Sequence, residues 1–183
     1  MAHTKQAAGY DRLTITLHWL VALMVIGLFA LGLWMTGLSY YDSWYRTAPD
    51  LHKSFGSLLL VLMLLRLIWR VRQPRTAPIA THQRWELILA KAVQGLLYLG
   101  LFTVLISGYL ISTADGRPIS FFGLFDWPVL ISGLPNQADI AGTVHLYAAW
   151  SVIILAALHA LAAIKHHLID RDATLSRMLG KSN

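Results

Sequence analysis

Residues 140–164 read IAGTVHLYAAWSVIILAALHALAAI, an uncharged run that carries His145 and His159 fourteen residues apart. The run is longer than the ~20 residues a helix needs to cross a hydrocarbon core. As a helix it separates the two imidazoles by roughly 21 Å along the axis, and fourteen residues is close to four whole turns, so both rings leave nearly the same face. Two more histidines, His18 and His52, sit in other membrane-length apolar stretches.

The rest of the chain has the same character. Of its 183 residues, 56% are hydrophobic and 13% charged, and the mean hydropathy is +0.55. A soluble domain normally carries roughly 25% charged residues. Here the charges crowd at the ends of apolar segments. Leu13 to Tyr41 and Ala92 to Ala114 are uncharged, and Ser54 to Trp69 reaches spanning length once Arg66 is accommodated near its end. Cysteine is absent, which excludes disulfides, thiol chemistry and cysteine-ligated iron–sulfur clusters. The first apolar run is too long for a signal-peptide core and reads as a retained helix.

These features predict an all-α membrane protein, a bundle of four transmembrane helices forming a single domain over 1–183. The helices are expected over about 11–37, 52–72, 84–112 and 139–168. Asp11 is the expected N-cap of the first. Tyr40, Tyr41, Trp44 and Tyr45 follow it as interfacial rings. Pro74 and Pro78 stop the second helix, and Pro118, Pro128 and Pro135 keep the long 113–138 connection from spanning again. Its aromatic run Phe121-Phe122-Gly123-Leu124-Phe125-Asp126-Trp127 is expected to be a loop resting on the outer surface, where it can cover the outer site.

Lysines and arginines set the orientation. Lys5, Arg12, Arg70, Arg72, Arg75, Arg84, Lys165, Arg171, Arg177 and Lys181 flank one side; Arg46, Lys53 and Arg117 flank the other. The excess puts both termini in the cytoplasm. Topology therefore explains the net charge of +6 without nucleic acid.

In that topology the histidines pair by depth. His18 and His159 each lie six residues, ~9 Å, inside the cytoplasmic boundary. His52 and His145 lie near the outer ends of the second and fourth helices. Two haem irons, each with two axial imidazoles, satisfy this arrangement, with the fourth helix shared by both. Small residues allow a flat macrocycle to approach: Gly56 one turn after His52, Ala148 and Ala149 after His145, and Ala156, Ala157, Ala160, Ala162 and Ala163 around His159. Arg66 lies at the depth of the inner pair and suits a haem propionate, since an unpaired charge there is costly. Lys91 either snorkels to the surface or bonds a propionate or quinone carbonyl, and Gln94 can assist. The competing reading makes the histidines hydrogen-bonded packing residues; a zinc site lacks carboxylate or thiolate ligands at these depths. His3, His82, His166 and His167 fall in tails or at a boundary and are expected to be solvated or interfacial.

The residues Arg12-Leu13-Thr14-Ile15-Thr16-Leu17-His18-Trp19-Leu20, Leu51-His52-Lys53-Ser54-Phe55-Gly56 and Leu65-Arg66-Leu67, together with Val144-His145, Leu158-His159-Ala160 and the tail Asp172-Ala173-Thr174-Leu175-Ser176-Arg177-Met178, resemble the bacterial cytochrome b561 family over nearly the whole chain. That resemblance implies two non-covalent b-type haems in a bacterial inner-membrane protein that exchanges electrons with ubiquinone. One activity it implies is superoxide oxidation. The outer loops carry Asp42, Asp50, Asp115, Asp126 and Asp139 against three bases, so any attraction of an anion there must be local, through Lys53, Arg46 or Arg117. The alternative implied role is a cytochrome b anchor linking quinone to a partner dehydrogenase or hydrogenase.

Overall fold

A computed structural model describes residues 9–74, 76–79 and 81–181; His3, Lys5 and Arg75 lie outside the described residues. The order is helix α1 (Arg12–Met35), α2 (Thr47–Arg72), α3 (Arg84–Thr113), strands β1 (Ile119–Phe121) and β2 (Phe125–Trp127), α4 (Gln137–Leu168) and the short α5 (Thr174–Met178). The four long helices are each long and apolar enough to cross a membrane. Large apolar side chains such as Leu23, Ile26, Leu99 and Leu161 lie exposed around the bundle. Lipid, rather than water, is the solvent that makes such a surface tolerable.

Local chemistry sets the helix ends. Asp11 caps α1 by accepting the Thr14 amide at 3.0 Å, and it also accepts the Trp69 indole N–H at 3.2 Å, which ties α1 to the end of α2. Helix α2 starts at Thr47, five residues before the position expected from sequence. Pro49 falls within its first turn, where the missing N–H costs nothing, and Asp50 suits the positive helix end. His52 therefore stands in the second turn of α2 instead of at its start. Gln83 and Glu86 form a capping box on α3.

The expected loop over 121–127 is instead part of a β-hairpin. Strands β1 and β2 pair antiparallel, Ile119 with Trp127 and Phe121 with Phe125. Phe122 and Gly123 take positive φ values of 52° and 72° in the turn, and glycine supplies the second without strain. The hairpin is pinned to α2 through Ser54, whose hydroxyl donates to the Ser120 carbonyl and accepts the Phe122 amide, both at 3.1 Å. Tyr109 holds the strand that follows, donating to the Pro128 carbonyl and accepting the Leu130 amide.

Helices α1 and α2 pack along one another, as do α3 and α4, while α1 touches α4 only sparsely and α2 stands diagonal to α4. Close approach within the second pair is visible at Gly100, where a Cβ would lie 2.7 Å from Val152 Cγ2. The two pairs meet through a thin central layer of Val21, Leu59, Met63, Leu101, Leu105 and Val152. Above and below that layer, the seam between the pairs is lined by histidines.

Candidate functional site

The upper site lies at the hairpin end of the bundle. His52 from α2 and His145 from α4 face each other with ring centroids 6.2 Å apart and planes inclined by 71°. A metal between two imidazole nitrogens needs about 2.0 Å to each nitrogen. Adding the distance from nitrogen to ring centre on both sides brings the centroids to roughly 6 Å apart, so the observed spacing fits an iron held between the rings.

The surroundings prepare His145 for ligation. Its Nδ1–H donates to the Val104 carbonyl at 2.9 Å, with the Ser107 hydroxyl at 3.3 Å. Fixing the proton on Nδ1 leaves the Nε2 lone pair free, the outer-shell device that orients metal-bound histidines. His52 Nδ1 is buried with no hydrogen-bond partner among the described residues. Each ring rests against a glycine of a neighbouring helix. A Cβ on Gly108 would lie 3.0 Å from His145 Cε1, and one on Gly32 would lie 3.2 Å from His52 Cε1.

The lower site lies toward the end that carries both termini. His18 of α1, His159 of α4 and Arg66 of α2 are within electrostatic range of one another. The Arg66 guanidinium donates to His18 Nδ1 at 2.9 Å. A guanidinium has only donors, so this contact uses the Nδ1 lone pair and leaves the proton on Nε2. Metal binding through Nε2 then requires the proton to move to Nδ1 and Arg66 to withdraw, which frees its charge for another acceptor. Tyr98 lies under both Arg66 and Arg70, whose guanidinium carbons are 5.5 and 5.2 Å from its ring centre, and its buried hydroxyl has no partner among the described residues. Of the other expected residues, Gln94 accepts a hydrogen bond from Arg70 at 2.9 Å, and Lys91 is exposed on α3.

A cavity of about 670 Å³ opens beside the upper site, lined in part by Lys53, Ser54, Ser112, Asp115 and Arg117. Sequence reasoning offered Lys53 and Arg117 as free local cations, and here both have acidic partners. Lys53 pairs with Asp50 at 2.7 Å, and Arg117 Nε bonds Asp115 at 2.6 Å. The Arg117 side chain and then its amide hold the Asp115 carboxyl below the usual carboxylate range. A small anion entering this cavity meets dipoles of paired charges before it meets a net positive field.

One cluster was missed entirely. His82 and His166, expected to be solvated or interfacial, converge on Asp172, each placing a ring nitrogen 2.9 Å from its Oδ2. His166 Nδ1 also lies 2.8 Å from Asp170 Oδ2, and Lys165 bonds that oxygen at 2.6 Å. Burial by itself would raise the Asp172 carboxyl, but hydrogen bonds from the Thr174 hydroxyl and amide and from His82, with the His166 charge alongside, lower it to about 2. The available signal was the polar run through His166, Asp170 and Asp172 directly after an apolar helix.

A family model described as prokaryotic cytochrome b561 matches residues 9–181. The chain is 50% identical over 183 residues to "Cytochrome b561 homolog 2" of Escherichia coli (strain K12), covering 100% of this chain and 97% of that one. It is 33% identical over 175 residues to "Probable superoxide oxidase CybB" of Yersinia pestis, covering 94% and 96%. To "Cytochrome b562" of Cereibacter sphaeroides it is 30% identical over 184 residues, covering 95% and 97%.

Proposed function

The chain belongs to the prokaryotic cytochrome b561 family, helical membrane cytochromes that bind b-type haem, and from that premise we propose that it carries electrons through two haems between a donor at the hairpin end and a quinone in the membrane. Its setting is the bacterial inner membrane, with both termini in the cytoplasm, a reading supported by the ten-to-three distribution of basic residues. Bound haem iron supplies reversible one-electron chemistry. The chain's own side chains hold, orient and insulate it.

His52 and His145 would hold the outer haem, and His18 and His159 the inner one. The single observation that carries this reading is the 6.2 Å separation of His52 and His145 across the seam, with the His145 tautomer already set by Val104. At the inner site Arg66, beside Tyr98 and Arg70, would supply the positive charge for a propionate. Gln94 and Lys91 on α3 are the polar groups available to a quinone headgroup in that half of the bilayer.

The relative named a probable superoxide oxidase favours superoxide as the outer donor. The cavity between Lys53 and Arg117 is the corresponding entry, and an anion there competes with Asp50 and Asp115 for those cations. The test is turnover of the isolated chain in liposomes containing ubiquinone, with superoxide as the donor. Sustained quinone reduction without any partner protein is the expected result. Haem reduction that stops after one turnover would instead assign the chain as an anchor that needs a partner dehydrogenase or hydrogenase.

A further inference from the structure

The His82–Asp172–His166 cluster has no part in holding haem, yet it stands directly below the inner histidine pair. His166 follows His159 by seven residues on α4, two turns or roughly 10 Å along the axis and near the same face. Exposure rises outward through the cluster. The Asp172 side chain is 5% exposed, those of His82 and His166 14% and 15%, Asp170 29% and Lys165 45%. The groups therefore form a cluster at the terminal end of the bundle, graded from a buried carboxylate to side chains that reach solvent.

We propose that this cluster is the proton input for quinone reduction, with His166 and His82 as the proton-carrying groups and Asp172 as the carboxylate they share. The inference rests on the quinone-linked reading above. Quinone reduction takes two electrons and two protons to give quinol. The electrons come from two one-electron oxidations of the donor, and the protons must enter from the water on the side where the quinone sits. Each imidazole gives up a ring proton inward and regains one from water on its outer side.

Among the described residues, the charged and titratable groups that meet here come from several elements. Glu86 faces the cluster from α3 and Lys165 and His166 from α4, with Asp170 and Asp172 in the turn beyond. His82 comes from the α2–α3 connection. Arg177 of α5 is turned away, donating to the Ala77 carbonyl at 2.8 Å. Lys165 pairs with Asp170 at 2.6 Å and lies 3.7 Å from Glu86. The tail is held at two further points, Arg177 to the Ala77 carbonyl and the Trp19 indole to the Met178 carbonyl, so loss of one imidazole leaves it tied to the bundle. Two titratable rings on one buried carboxylate are the kind of groups that pass protons.

The haem-loaded full chain, reduced beforehand, is mixed with decylubiquinone or with ferricenium, which accepts an electron and no proton. In His166→Gln and His82→Gln, reoxidation by the quinone should slow by roughly tenfold to a hundredfold and lose its pH dependence. Reoxidation by ferricenium should stay within about twofold of wild type. Unchanged quinone rates and pH profiles in both variants would overturn the relay. So would an equal slowing with both acceptors, the mark of a structural role. Wild-type protein that ferricenium reoxidises and quinone does not would show that the quinone reading itself has failed.

Discussion

At the residue scale, the histidines proposed as haem ligands depend on what stands behind them. The imidazoles stand out in the sequence because His18, His145 and His159 interrupt apolar runs and His52 opens another, and helical spacing with the basic-residue topology sorts them by depth. The glycines that make room for them do not, because Gly32 and Gly108 face His52 and His145 only after different helices have packed together. A methyl group on Gly108 would press on the His145 ring at 3.0 Å from Cε1, while that ring is tethered to Val104. Gly108→Ala should therefore cost about 1–3 kcal/mol at the outer site, seen as selective loss of the outer haem's share of the reduced-minus-oxidised spectrum. Gly27→Ala, exposed on α1 away from the face that carries His18 and Gly32, with nothing within 4 Å of the new methyl, should leave the spectrum intact. Equal behaviour of the two variants would remove Gly108 from the account. The Arg66 contact with His18 was likewise invisible in sequence. Depth placed the arginine at the inner pair, but not on a ring nitrogen.

At the scale of elements, the long helices followed from apolar length and from caps such as Asp11 and Gln83, whose partners lie three residues away. The departures occur where partners are distant. Helix α2 gained its first turn from a proline that reads as a breaker unless its place in the turn is known. The hairpin is held by Ser54, far from it in sequence. The tail after α4 depends on Asp172, which meets His82 across 90 residues. This last element carries a pH prediction. The Asp172 carboxyl is depressed from 3.8 to about 2 in the folded chain, so its contribution is fully present above about pH 4 and is lost as the pH falls through 2. Protection of residues 172–178, taken relative to the unfolded chain at the same pH, should be high at pH 5 and fall as the pH drops toward 2. In Asp172→Asn it should be low throughout. Protection that persists at pH 2 would contradict the assignment of Asp172 as the tail's anchor.

At the scale of the whole molecule, two tight helix pairs meet along a seam that a thin apolar layer divides into an upper and a lower compartment. Helix α4 contributes one histidine to each compartment, so opposite halves of the membrane are joined by one rigid element. In the proposed scheme an electron enters beside the hairpin and a proton beside the tail, from opposite faces. The cavity with paired Lys53 and Arg117 lies at one end and the His82–Asp172–His166 cluster at the other. The central claim is that α4 holds two separate haems, each completed by a different helix. Its most direct test is a redox-titrated absorbance spectrum, with haem counted per chain, for purified His145→Ala and His159→Ala beside the wild type. The account predicts two haems in the wild type and one in each variant, with the surviving components differing in midpoint potential. A wild type with a single haem, or two variants that retain the same component, would contradict it.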